Sequence, residues 1–381
     1  MLIVELRHFL TIAMVALGCF LGEIVAAAER PPNVVMIVAD DMGWNDFGFM
    51  GHQVLGTPRL DRLSRESAVF PNGYVPTSLC RASLATLLTG LYAHKHKICC
   101  NDPPDGVDRA DMHPFIKQAP TVPRLLAKAG YRSLQTGKFW EGHFSNAGFT
   151  EGMTTKGRHG EEGLVIGRET MQPIYDFIAA APEKPFFVWY APMLPHEPHN
   201  PPERLLVKYA APGRHFELTK YYAMCEWLDE TCGELLDFLD SHKLRENTLV
   251  VFVVDNGWIQ ETGGVRRTRA SFAPKSKLSP YDGGVRTPVL LRWPGHTKAG
   301  EYRDLVSTID LAPTVLAACG IQPPKEMPGM NLLETAADRH PLRRDAVFGE
   351  IYLHTAVDLD HPVLNLTHRW VRAGDWKWVQ F

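Results

Sequence analysis

An excess of either charge is missing from these 381 residues: 40 Lys and Arg stand against 43 Asp and Glu, a formal net charge of −3. That balance argues against nucleic acid or an anionic membrane surface as a partner. Long apolar runs are missing too, except near the N-terminus, so no later segment reads as membrane-spanning. Cysteine is sparse at seven residues. Losing Cys19 with a leader would leave Cys80, Cys99, Cys100, Cys225, Cys232 and Cys319. Cys225 and Cys232 fall on one expected helix, roughly 10 Å apart and too far to bridge. Cys99 and Cys100 are adjacent, an awkward geometry, so a disulfide framework is not expected. There is no internal repeat and no low-complexity tract. What is present, 45% hydrophobic and 22% charged residues, is the composition of a packed globular protein. The length allows one large α/β domain or about two ordinary ones.

Residues 1–28 read as a signal peptide. Arg7 and His8 head the apolar run Phe9 to Leu21, and Ala26-Ala27-Ala28 supplies small residues for cleavage. An N-terminal anchor helix is the competing reading. Ala16-Leu17-Gly18-Cys19 is only a faint match to a lipoprotein box. The expected product is secreted or periplasmic, with no membrane attachment after cleavage.

Asn33 to Ala39, Pro185 to Tyr190, Thr248 to Val254 and Thr287 to Arg292 are apolar runs with the look of buried strands, and Tyr131 to Gly137 is a shorter one. Between them lie helical patterns at Pro58 to Ser67, Cys80 to Leu88 (with Thr77 or Ser78 as N-cap), Thr121 to Ala129, Phe216 to Leu239 and Ser307 to Ala318. Strands alternating with helices predict an α/β fold, a mostly parallel central sheet with helices on both faces. Ligands of such sheets collect beyond the strand carboxyl ends.

The chemistry-bearing residues cluster at those ends. Asp40-Asp41 follows the first strand and Asp255-Asn256 follows the run Thr248 to Val254. Their oxygens suit a hard cation, Ca²⁺ or Mg²⁺. Lys138, His196 and Lys277 beside such a cation would suit a tetrahedral oxyanion ester, with His196 protonating the leaving alcohol. Cys80 at a helix start would ordinarily suggest a thiolate, but a thiolate is a poor nucleophile toward sulfate or phosphate. Composition and spacing leave its role open.

Seven segments in order carry a resemblance: Pro32-Asn33 through Asp40-Asp41-Met42-Gly43-Trp44; Thr57-Pro58-Arg59-Leu60-Asp61-Arg62-Leu63; Cys80-x-Ala82 with Thr89-Gly90; Thr136-Gly137-Lys138; Pro195-His196-x-Pro198; Asp255-Asn256-Gly257; and Lys277 ahead of Asp282-Gly283-Gly284-Val285-Arg286-x-Pro288. From about residue 31 onward the chain resembles the type I sulfatases of the alkaline-phosphatase-like superfamily. The resemblance implies that a maturation enzyme oxidises Cys80 to formylglycine, whose hydrate attacks the sulfur of a sulfate ester. It further implies Asp40, Asp41, Asp255 and Asn256, with the modified Cys80, as calcium ligands. Lys138 and Lys277 become sulfate clamps and His196 the proton donor. A sulfated sugar or polysaccharide is the implied substrate.

Two positions depart from the family pattern. Leu84 stands where the family has Arg four residues after the cysteine, and Arg81 points about 100° away from that face. Trp140 stands where the family has the His of Lys-x-His; its indole can donate one hydrogen bond but cannot carry a proton. The expected organisation is a leader at 1–28, a catalytic domain over 29–342, and the start of a small, incomplete C-terminal subdomain over 343–381. Substrate choice is expected in the loops 101–120, 144–165 and 259–275. Asn365-Leu366-Thr367 fits a glycosylation sequon but reads as an ordinary loop. The competing functions are a phosphoesterase or phosphonate hydrolase of the same superfamily, and a non-catalytic binding protein on this fold.

Overall fold

Asn33–Ala39 is apolar at every side-chain position but one, and it forms β1, buried on both faces at the heart of a nine-stranded sheet. The structure is a computed structural model describing residues 30–156, 158–262, 272–338 and 340–381. The expected leader at 1–28 and most of the 259–275 loop lie outside the described residues.

The remaining strands of this sheet are β2 (Ala68–Tyr74), β3 (Arg132–Gly137), β4 (Glu151–Gly152), β5 (Phe186–Ala191), β6 (Thr248–Val254), β7 (Arg286–Arg292), β8 (Gly300–Glu301) and β9 (Val306–Ser307). Their order is β4-β3-β5-β1-β6-β7-β2-β8, with β9 beside β2. The run β4, β3, β5, β1 and β6 is parallel throughout. β7 is reversed, antiparallel to both β6 and β2. The reason is local: the chain leaves β6 at its carboxyl end and re-enters β7 from that same end, with no crossover helix among the described residues of the connection. β2 has no counterpart among the expected strands, because Pro71 and Gly73 interrupt its apolar run. A register shift between Phe70 and Gly73 absorbs them.

Helices cover both faces of the sheet. On one face Val34, Met36 and Val38 of β1 meet Leu84 of α1 (Cys80–Thr89), Leu126 of α2 (Val122–Lys128) and Val315 of α4 (Leu311–Ala318). On the other, Val35, Ile37 and Ala39 meet Leu228 and Leu235 of the long helix α3 (Phe216–Ser241). The alternation of β1 thus divides one strand between two cores. Cys225 and Cys232 are buried in α3, and all six cysteines of the described residues are free thiols.

A second sheet follows: β10 (Ala346–Tyr352), β11 (Leu366–Ala373) and β12 (Trp376–Gln380), all antiparallel. Val347, Ile351 and Trp370 pack on Tyr74 and Val285, and Lys377 Nζ reaches Asp282 Oδ1 at 2.9 Å. Asn365 is buried: its Oδ1 accepts from Val357 N at 2.7 Å and its Nδ2 donates to Asp358 O at 2.6 Å. No helix among the described residues is long and apolar enough to cross a membrane.

Candidate functional site

The parallel pairing of β1 with β6 sets Ala39 opposite Val254, so the next residues of both strands emerge side by side. Those are Asp40-Asp41 and Asp255-Asn256. Asp255 N donates to Ala39 O at 2.9 Å, and Asp41 N donates to Asp255 Oδ1 at 3.1 Å. Asn256 N shares that oxygen at 2.6 Å. Asp41 has φ 59°, a left-handed conformation that Asp tolerates better than most residues. All four side chains are buried.

β3 brings the third contribution. Gly137 at its end has φ 70°, and a Cβ there would lie 1.9 Å from Ala191 O, so only glycine fits. The next residue, Lys138, is buried, hydrogen-bonds Asp40 and lies 3.3 Å from Asp255 Oδ2. Lys277 closes the opposite side. Its Nζ lies 2.6 and 2.7 Å from the two oxygens of Asp41 and 3.0 Å from Cys80 Sγ.

Cys80 is the first residue of α1, and its thiol faces Asp41 Oδ1 at 3.9 Å. The N-cap differs from the expected Thr77 or Ser78. Leu79 holds the N-cap position without a side-chain bond. Asn101 Oδ1 accepts from Arg81 N at 3.0 Å, so the helix start is capped from a distant segment. Ser78 bonds elsewhere. Its Oγ accepts from Leu278 N at 3.0 Å, which ties Lys277 to the helix start. His196, just beyond the end of β5, presents Nε2 at 3.4 Å from Asp41 Oδ2 while Nδ1 donates to Glu197 O at 2.6 Å. Atoms of Asp40, Asp41, Cys80 and His196 all lie within 4.8 Å of one another.

Burial and charge compete here. Burial pushes the Asp255 carboxyl up to about 7, against Lys138. Burial likewise raises Asp40. Burial also opposes ionisation of Asp41, but Lys277, His196 and Lys138 together outweigh it and hold its carboxyl below the usual range. Burial drives the Cys80 thiol up to about 12 and the His196 imidazole down to about 4. The residue at position 80 is therefore not a spontaneous thiolate, despite its helix N-terminus and its nearby ammonium groups.

The donor set fits a hard cation. Asp40 Oδ2 and Asn256 Oδ1 are buried oxygens with no hydrogen-bond partner among the described residues. Three carboxylates face two ammonium groups, a formal charge of −1. A dication would turn that to +1, the complement of a sulfate monoester.

The two departures have definite places. Leu84 is buried in the core of its face of the sheet. Arg81 turns from the site: its Nε lies 2.7 Å from Glu141 Oε1, and its other nitrogens donate to Glu141, Cys100 O and Met112 O. Trp140 is buried, and His159 stands edge-on to it with ring centroids 4.3 Å apart. His159 also lies 5.2 Å from the His196 ring. Sequence reasoning missed His159, which sits in a charged loop without periodicity. His143, the nearer histidine in sequence, is exposed and accepts from Ser145 N at 3.3 Å.

Residues 32–321 match the Sulfatase family, and residues 276–381 match the N-sulphoglucosamine sulphohydrolase C-terminal family. Human N-acetylgalactosamine-6-sulfatase is 31% identical over 367 residues, covering 81% of this chain and 66% of that protein. Human arylsulfatase A is 30% identical over 343 residues, covering 77% and 65% respectively. The chain thus spans about two thirds of the length of these two curated relatives. The crystal structure of Ps i-CgsB in complex with k-i-k-neocarrahexaose superposes with a TM-score of 0.75 at 23% identity, over 92% of this chain and 84% of that one, and shares the fold. With its family match running through both the β1 and β6 strand ends and on past Lys277, the chain belongs to the type I sulfatases, sulfuric ester hydrolases of the alkaline-phosphatase-like superfamily.

Proposed function

We propose that this chain is an exported sulfatase that hydrolyses sulfate esters of a sugar or polysaccharide through formylglycine at position 80 and a calcium ion. The observation that carries the reading is the convergence of Asp40, Asp41, Asp255 and Asn256 around Cys80, with Lys138 and Lys277 between them. Asp40, Asp41, Asp255, Asn256 and the modified residue 80 would hold the ion, which supplies Lewis acidity toward an ester oxygen and a hydroxyl. Oxidised to the aldehyde by a maturation enzyme and hydrated, residue 80 would offer one hydroxyl to attack sulfur and a second whose deprotonation expels sulfate. A plain thiol has no such second group.

The chain's own side chains do the rest. Lys277 and Lys138 neutralise the non-bridging oxygens of the ester. Lys138 is buried and the Lys277 side chain is only 9% exposed, so their charges act in a low dielectric and need little reorganisation. His196 directs Nε2 inward, because Nδ1 is committed to the Glu197 carbonyl. That tautomer and orientation suit proton delivery to the departing alcohol, once the negative ester is close enough to favour the imidazolium. The sugar as substrate class follows the relatives, one of which is an N-acetylgalactosamine-6-sulfatase.

Leu84 and Trp140 favour a second reading, a protein that holds a sulfated sugar without cleaving it. Hydrolysis of an aryl sulfate by protein co-expressed with a maturation enzyme separates the two. The first reading expects turnover that Cys80→Ala abolishes. Turnover that persists in Cys80→Ala removes residue 80 as the nucleophile.

A further inference from the structure

Trp140, where the family has histidine, is the floor of a cationic cluster next to the proton-donor side of the site. His196 adjoins His159, and His159 adjoins Trp140. Against the Trp140 ring lie the guanidinium carbons of Arg158 and Arg109, 5.2 and 5.5 Å from its centroid. Both guanidinium groups bind one carboxylate: Arg158 NH2 is 3.1 Å from Asp102 Oδ2, and Arg109 hydrogen-bonds Asp102 Oδ1. His354 joins the same carboxylate, with Nδ1 at 3.3 Å from Oδ2.

Two guanidinium groups on one carboxylate leave a surplus positive charge. It is accessible chiefly at Arg158, whose side chain is 43% exposed, and less so at Arg109, at 21%. A structural clamp would be expected to balance its charges and bury them. The arrangement also holds Arg158 in place before any ligand arrives. Each guanidinium is attracted to the indole ring by the cation–π interaction, and its planar fork suits a planar or tetrahedral anion. Besides Trp140, three separate segments build the cluster: 101–109, 158–159 and 354. Backbone bonds splice the outer two, with Asn101 N donating to His354 O at 2.9 Å and Ala356 N to Asp102 O at 2.9 Å.

Resting on the sulfatase reading above, we propose that Arg109 and Arg158, gathered on the Trp140 ring by Asp102 with His354 behind it, form a subsite for a second anionic group. That group, a carboxylate or a further sulfate, belongs to the same saccharide whose scissile ester lies at residue 80. The enzyme then selects polyanionic sugars over sugars with a single sulfate.

The test is binding, measured on Cys80→Ala protein so that neither maturation nor turnover enters. Three disaccharides are titrated calorimetrically in calcium buffer at low salt: one with a single sulfate, one with a second sulfate, and one with a single sulfate and a uronate carboxylate. At least one dianionic sugar should bind tenfold or more tighter than the monosulfated one, and which one names the anion. Adding Arg158→Gln, at an exposed position, should shrink that ratio to about twofold with the melting temperature unchanged. Equal affinity for all three sugars, or an unchanged ratio in Arg158→Gln, overturns the subsite alone. No binding of any sugar overturns the subsite together with the reading it rests on.

Discussion

Asp255 is the most informative residue to change, because it has two separable jobs. Its Oδ1 accepts two buried backbone amides, Asp41 N and Asn256 N, and its Oδ2 faces Lys138. Asp255→Ala orphans both amides, at about 1–3 kcal/mol each. Relief of repulsion from Asp40 and Asp41 offsets part of this, so in EDTA the variant should lose about 2–4 kcal/mol. Asp255→Asn keeps the accepting oxygen and removes the charge, so its loss should be smaller by at least about 1 kcal/mol. Calcium reads the other job. At one hundred times its Kd, a ligand of the native state adds about 2.7 kcal/mol. With about 2.1 cal/mol/K of unfolding entropy per residue over the folded unit Pro32–Phe381, that raises the melting temperature by about 4 °C. Wild-type protein should show this rise in scanning calorimetry with calcium against EDTA, and both variants should lack it. Both should also lose aryl sulfate turnover. Equal stability of the Ala and Asn variants would refute the assignment of the amide bonds. A calcium shift retained in both would refute the ligand.

Lys277→Ala should fold and lower kcat on an aryl sulfate by about 10²–10³, the scale of losing one preorganised charge stabiliser; kinetics within a few fold of wild type would remove it as a sulfate clamp. Arg81→Met strands the buried Glu141 carboxylate and should cost about 3–5 kcal/mol in urea unfolding, whereas Arg81→Met with Glu141→Leu should recover most of it. A double variant no better than the single one would show that the pair is not the source of the loss. Asp229 Oδ1 and Oδ2 accept from Leu60 N at 2.7 Å and Arg59 N at 3.1 Å, capping the helix Pro58–Arg65 from α3. Asp229→Ala should therefore cost about 1–2 kcal/mol by the same unfolding assay, and a silent substitution would contradict the capping role.

The sheet was legible because β1, β5 and β6 are continuous apolar runs, and such runs have few alternatives to a doubly covered strand. The same signal fails for β2, whose Pro71 and Gly73 are tolerated only because the strand shifts register against β7. It cannot give direction either, so the reversal of β7 was invisible. Asp40-Asp41 and Asp255-Asn256 could be grouped from sequence, since strand ends of one sheet share an edge. The cap on Cys80 could not, because Asn101 reaches back to Arg81 N from twenty residues away, beyond the end of α1 itself. His159, Arg158, Asp102 and His354 are ordinary loop residues in sequence, and only tertiary folding brings them to Trp140.

The aldehyde at residue 80 is the claim on which hydrolysis turns. Mass spectrometry of the peptide spanning Cys80, from protein co-expressed with a formylglycine-generating enzyme, measures it directly. An aldehyde is expected in a substantial fraction of the peptide, visible as its hydrate or as a hydrazone adduct. A free thiol throughout, under conditions that mature other sulfatases, would contradict the catalytic account and leave a sugar-binding protein on a sulfatase fold.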